Sequence, residues 1–290
     1  MADRLPAVFF GHGNPMHALA RNDYTEAWRR LGEEMPRPRA ILAISAHWYK
    51  RETSVTVSVA PRTIHDFGGF PQELYQVQYP APGDPALARR IQEILAPLPV
   101  KPDATWGLDH GTWSILCHVY PNADIPVVQL SIDGTQSAGV HFEIGRKLAP
   151  LRDEGILILG SGNLIHNLRA YAWGHPLQEP YDWAVRFESR ARELMLAGDD
   201  AALIHYEALG RDAALSIPTP EHYLPLLYVL GARQSGEGIR FPVAGIEGGS
   251  ISMLAAQIGQ GAANSTGKGR HARPSRPAGI ASWERPSTPP

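Results

Sequence analysis

Gly155-Ile156-Leu157-Ile158-Leu159-Gly160-Ser161-Gly162-Asn163-Leu164-Ile165-His166-Asn167 is the stretch that decides the fold. Its opening run, Gly155 to Leu159, is short, aliphatic and free of polar alternation, and small residues follow it. That is the pattern of a strand covered on both faces. Three other runs share it: Ala7 to Phe10, Ala40 to Ile44 and Ile125 to Leu130. Helical spacing lies between them. Asp84-Pro85 supplies an N-cap and a first-turn proline for a helix over Asp84 to Leu95, with Leu87, Ile91, Ile94 and Leu95 on one face. Gly111 to Tyr120 and Gln136 to Leu148 read likewise. Strands alternating with helices imply right-handed crossovers, so the expected class is α/β, with a mostly parallel central sheet flanked by helices.

Further along, Tyr181 to Gly210 reads as mainly helical. Ile239 to Ile246 and Ile251 to Ile258 read as a closing strand pair joined by Glu247-Gly248-Gly249-Ser250, with a helix over Ser252 to Gln257 as the alternative. From Gly261 the composition turns to Gly, Ser, Pro and Arg, too poor in apolar area to offset ordering entropy. The expectation is one domain over residues 5–260 and a disordered C-terminal tail over 261–290.

The chain has 290 residues, 43% of them hydrophobic, enough to fill one large core. Lys plus Arg number 27 against 29 Asp plus Glu, so no basic excess favours nucleic acid or an anionic membrane surface. Cys117 is the one cysteine, which excludes an internal disulfide and any thiolate-rich metal site. No apolar stretch approaches a membrane span of roughly 18 residues, and no signal-peptide pattern precedes the first strand. A soluble, cytoplasmic protein is expected.

The informative residue is histidine, of which there are 12. Ligands of open α/β sheets bind outside the carboxyl ends of the strands. His12 stands there in Gly11-His12-Gly13-Asn14-Pro15, His47 in Ser45-Ala46-His47-Trp48, and His166 in the quoted stretch. A lone histidine at a strand end is commonly just hydrogen-bonded, but three together point to a metal. Without cysteine, such a site must use His with Asp or Glu. Pro218-Thr219-Pro220-Glu221-His222-Tyr223-Leu224-Pro225 offers a further imidazole or a carboxylate. Two more polar loops stand out, Thr63-Ile64-His65-Asp66-Phe67-Gly68-Gly69-Phe70 and Trp106-Gly107-Leu108-Asp109-His110-Gly111-Thr112-Trp113. In both, the acid could equally cap a turn and the imidazole pack on a ring. His118 reads as a core or surface residue on a helix, while His17, His141, His175, His205 and His271 have no comparable context.

Taken in order and spacing, these six segments resemble the class III extradiol ring-cleavage dioxygenases, closest to the bacterial 4,5-DOPA type, over about residues 5–260. Asn14 departs from the serine usual in the first motif. The resemblance implies one divalent metal ion per chain, Fe(II) for catalysis or Zn(II) as bound, held by His12, His47 and His222. Glu221 is the alternative third ligand and His166 a possible fourth. It also implies that a catechol ring is opened by dioxygen beside its hydroxyls, with His166 as acid/base.

The residue types suit that chemistry. A three-ligand ferrous site leaves positions for a chelating diol and for dioxygen, and a neutral imidazole can take the diol's second proton. His110 is expected to hydrogen-bond the bound oxygen species, and His65 with Phe67 and Phe70 to close over the ring. Arg169 is a candidate for a substrate carboxylate, unless it simply faces solvent. The rival readings are a zinc-dependent hydrolase and a non-catalytic metal-binding protein on the same fold.

Overall fold

The computed structural model describes residues 4–175 and 177–259; the predicted tail over 261–290, with His271, lies outside the described residues. The strands are β1 (Ala7–Gly11), β2 (Ala40–Lys50), β3 (Ser54–Thr56), β4 (Lys101–Asp103), β5 (Val127–Asp133), β6 (Ile156–Gly162), β7 (Ile239–Val243), β8 (Ile246–Glu247), β9 (Ile251–Ser252) and β10 (Ala255–Ile258). The helices are α1 (Asp23–Glu34), α2 (Gln72–Tyr75), α3 (Pro85–Leu95), α4 (His110–Val119), α5 (Ala138–Leu148), α6 (Asp182–Ala197), α7 (Asp200–Ile204), α8 (Arg211–Ser216) and α9 (Leu224–Gly231).

Eight strands form one sheet in the order β4-β3-β5-β2-β6-β1-β10-β7. Its centre, β5-β2-β6-β1, is parallel, while β10 joins β1 antiparallel and β7 joins β10 antiparallel. The period-2 alternation of side chains divides the core in two. Phe9, Leu42, Ile44, Ile156 and Ile158 meet α3, α5, α6 and α9 on one face. Val8, Phe10, Ile41, Leu157 and Leu159 meet α1 and α4 on the other. Both faces are covered, which is why the central strands read as continuous apolar runs. The predicted α/β class, with its mostly parallel sheet flanked by helices, is what the chain adopts.

Asp84 caps α3 as its sequence predicts, accepting from the amides of Ala86 and Leu87. Ser252 to Gln257 is not helical: β9 and β10 occupy it. The closing pair is also less simple than a hairpin. β7 and β10 are antiparallel neighbours, but the Glu247–Ser250 turn belongs to a separate ribbon of β8 and β9. Gly245, at φ +150°, takes a backbone conformation closed to other residues and separates the two.

Among the described residues no helix is long and apolar enough to cross a membrane.

Candidate metal centre

β1, β2 and β6 are adjacent and parallel, so the residues just past their carboxyl ends gather at one edge of the sheet. His12 comes directly after β1, and its amide donates to Gly162 at the end of β6. His47 lies inside β2, which runs on to Lys50, but past the regular ladder. β2 pairs Ile44 with Leu130 and Tyr49 with Ile132, so four of its residues stand against one of β5. Such bulges redirect side chains beside functional sites. His222 comes in from the loop before α9 and stays close because Gly162 has no side chain: a Cβ there would sit 2.1 Å from the His222 carbonyl oxygen.

The three imidazoles converge. Nε2 of His12 and Nε2 of His47 are 3.2 Å apart, and the His222 ring is centred 5.3 and 5.2 Å from theirs. Their ligand atoms lie within 4.8 Å of one another. Two nitrogens bound to one zinc ion at about 2.0–2.1 Å in tetrahedral geometry stand roughly 3.3 Å apart. The His12–His47 spacing suits two nitrogens on one ion.

The opposite edges of the rings explain why the lone pairs point inward. Ser161 gives its hydroxyl proton to the Gly111 carbonyl, so toward Nδ1 of His12, 2.9 Å away, it can only accept. Nδ1 of His12 therefore carries the proton and Nε2 the free lone pair. Nδ1 of His222 faces Glu221 Oε1 at 3.2 Å, and Nδ1 of His47 faces Asp66 Oδ2 at 3.3 Å. Carboxylates accept only, so both rings take the same tautomer.

Burial holds all three histidines neutral. It pushes His47 down to about 3, with the neighbouring His110 adding to the shift, and His12 and His222 well below the usual imidazole value. Neutral imidazole is the form that ligates, so the donor set fits a divalent ion.

Of the two candidates for third ligand, the geometry gathers His222 with His12 and His47. Glu221 lies behind it, bridging His222 Nδ1 and the Thr219 hydroxyl. His166 stacks on His222 at 3.5 Å between centroids and 6° between planes, and its nitrogens group with Glu221 and His222. Burial pushes it down to about 4.

His110 opens α4, buried, 3.8 Å from the His47 ring and 5.4 Å from Phe67. His65 turns away from the cluster. Its Nε2 donates to the Val77 carbonyl at 3.0 Å, and its ring packs near Trp113. Phe70 packs on Phe67, 5.2 Å between ring centroids. Arg169 is exposed.

Three supports of the site are not evident from the sequence. Asp66 touches both His47 and His110, although its sequence neighbour His65 is the residue that draws notice. Ser161 reads only as part of a turn. Asp109, fully buried, does cap α4 at Thr112, but it also accepts from Ser45 and Gln129, both at 2.7 Å. Burial, with Asp66 nearby, raises its carboxyl above the usual range.

Comparison with known proteins identifies the family. Residues 7–239 match the family described as the catalytic LigB subunit of aromatic ring-opening dioxygenase. The chain is 55% identical over 261 residues to the 4,5-DOPA dioxygenase extradiol of Escherichia coli (strain K12), covering 88% of this chain and 95% of that protein. It is 40% identical over 238 residues to the 4,5-DOPA dioxygenase extradiol of Beta vulgaris, covering 79% and 88%. A crystal structure of an uncharacterized protein from Escherichia coli K12 superposes with a TM-score of 0.78 at 50% identity, covering 88% of this chain and 100% of that one. By this match, the chain belongs to the LigB family of aromatic ring-opening dioxygenases.

Proposed function

We propose that this protein opens the ring of a catechol of the DOPA kind beside its hydroxyls, using dioxygen, with one ferrous ion held by His12, His47 and His222. The observation that carries the reading is the set of three imidazoles, His12 and His222 buried and His47 half-buried, whose Nδ1 atoms face Ser161, Glu221 and Asp66 and whose ligand atoms converge within 4.8 Å. The family and the names of the relatives support ring cleavage as the reaction. Ferrous iron bound there would supply Lewis acidity toward the diol and a path for electrons from the catechol to dioxygen.

The chain's own residues do the rest. His166, with its pKa pushed down to about 4, is a free base at neutral pH. A ring nitrogen of His166 takes a proton from the catechol and later returns it to the opening ring, so one group serves as base and then acid. Its stacking on His222 and the bridge from its backbone to Ile251 hold it in place for both tasks. His110 stands across the cluster, where it can hydrogen-bond oxygen that carries developing charge. Phe67, edge-on to His110 at 79°, and Phe70 beside it give the catechol an aromatic wall and keep water from His110. Arg169, exposed and three residues past His166, is the candidate partner for the carboxylate of DOPA.

Anaerobic loading with Fe(II), then a catechol panel followed by oxygen uptake and the yellow semialdehyde, tests the reading. Oxygen consumption matching semialdehyde formation, with DOPA among the substrates, is expected. A protein that loads iron yet consumes no oxygen with any catechol would defeat it.

A further inference from the structure

The loop of residues 63–70 carries a carboxylate to which the proposed reaction gives no role. Asp66 Oδ1 accepts the backbone N–H of His110 at 2.8 Å and lies 3.0 Å from Nδ1 of the same residue. Its Oδ2 lies 3.3 Å from Nδ1 of His47. The two rings are tilted by 47° at 3.8 Å, so one carboxylate spans the Nδ1 edges of two neighbouring imidazoles. The Asp66 side chain is 17% exposed.

The loop is tied down over the three residues that precede Asp66. Ile64 donates its amide to Leu108 at 2.7 Å and accepts from the Trp113 indole at 2.8 Å. Thr63 Oγ1 accepts from the Tyr79 amide at 2.9 Å, and His65 donates to Val77. A carboxylate held by a loop so fixed is already oriented before any ligand arrives.

We propose that Asp66 is a positioning residue that holds His47 and His110 as one rigid unit, aiming Nε2 of His47 at the ion and leaving the other nitrogen of His110 for substrate oxygen. The His47 half stands on geometry alone; the His110 half rests on the proposed ring-opening function. A carboxylate only accepts, so the Nδ1 that faces it keeps its proton. The free lone pair of His47 is thereby confined to Nε2, the atom 3.2 Å from its counterpart on His12. Asparagine cannot do the same. Its amide has one accepting oxygen and one donating nitrogen, so whichever way it turns, one ring N–H meets a donor.

The test uses Asp66→Asn and Asp66→Ser, with metal-free protein titrated with Co(II) by visible absorption and Fe(II)-loaded protein assayed by oxygen uptake with catechol. Expected for either variant is a roughly 10- to 100-fold loss of Co(II) affinity with an altered cobalt spectrum, the range for partners standing behind metal ligands. At saturating Fe(II), kcat should also fall while KM stays within about twofold, because the interaction aligns groups and does not bind the catechol. Co(II) affinity and kcat both unchanged overturn the proposal. A raised KM with affinity and kcat intact does so too, making Asp66 a substrate contact. Lost affinity with an unchanged kcat removes His110 from the unit. If one substitution prevents folding, the other carries the same expectation. The cobalt arm needs no turnover, so a wild-type protein that opens no catechol defeats the functional reading and leaves this test standing.

Discussion

The two edges of the central sheet bury polar groups to opposite effect. At the amino-terminal edge Arg152 is fully buried, and four of its five N–H donors meet acceptors. Its Nε donates to the Leu5 carbonyl, Nη1 to the Ala232 carbonyl, and Nη1 and Nη2 to the Glu237 carboxylate, all between 2.6 and 2.7 Å. At the carboxyl-terminal edge His12, His47 and His222 are buried or half-buried, and each commits one nitrogen and leaves one lone pair facing the others. His17 shows that the residue type does not decide the matter. It is also buried, but Nε2 meets Glu247 at 3.0 Å and Nδ1 meets Asn22 at 3.1 Å. A buried polar group marks a binding site when its remaining valence converges with others, and marks architecture when it is used up locally.

The largest effect that could break this contrast comes from the proposed ligands. His12→Ala or His47→Ala should each abolish stoichiometric metal binding while far-UV circular dichroism stays that of the wild type, since apolar cores on both faces hold the sheet. Full metal occupancy in either variant removes that residue from the ligand set. His166→Ala comes next. It should keep iron and bind catechol but open the ring about 10²- to 10⁴-fold more slowly, the usual worth of a placed general base. Because the base must be unprotonated, wild-type turnover should fall as pH drops toward about 4, where burial has put the His166 imidazole. A variant that loses iron would make His166 a ligand.

How much of this was legible in the sequence depends on which interactions are local. The parallel strands were legible because burial on both faces leaves uninterrupted aliphatic runs, and α3 because Asp84-Pro85 marks its start. α9 was not read as a helix: its sequence Leu224-Pro225-Leu226-Leu227-Tyr228-Val229-Leu230-Gly231 is buried throughout and shows no polar face for a 3.6-residue period to reveal. β3 and β4, three residues each, are too short to show a pattern. The histidines at strand ends were visible because position along a strand is local information. Asp66 and Asp109 stood out only as acids in polar loops and Ser161 only as part of a turn, because their roles at the site depend on partners between 19 and 149 residues away.

The amino-terminal edge supplies the next test. Arg152→Leu removes the charge that Glu237 faces at 14% exposure, leaving the Leu5 and Ala232 carbonyls without this donor and the carboxylate with the Gln234 amide and the more distant Arg4. Breaking such a pair from one side costs about 3–5 kcal/mol, and denaturant unfolding should show a loss of that order. Metal stoichiometry should remain that of the wild type, because the edge that binds lies at the far ends of the same strands. If Arg152→Leu lost metal as well as stability, the two edges would not be independent.

The smallest effect separates a buried structural imidazole by pH from those proposed to ligate. His141 on α5 is fully buried, 2.8 Å from the Tyr228 hydroxyl. Burial lowers it from 6.5 to about 4, against the opposing pull of Asp133 and nearby carbonyls. A histidine depressed in the folded state binds fewer protons there than in the unfolded chain between those two values, so stability rises with pH across that window. Its contribution is complete above about pH 6.5 and is progressively lost as pH falls toward about 4. At pH 5 the two pKa values predict a loss of about 2 kcal/mol. His141→Gln keeps a polar group beside Tyr228 but cannot titrate. The stability advantage of wild type over this variant, from denaturant unfolding, should therefore shrink by about 2 kcal/mol between pH 7 and pH 5. The imidazoles of the metal centre are common to both proteins and cancel in the difference, as distant sites do. An advantage that does not change with pH would mean that His141 is not held neutral by its burial.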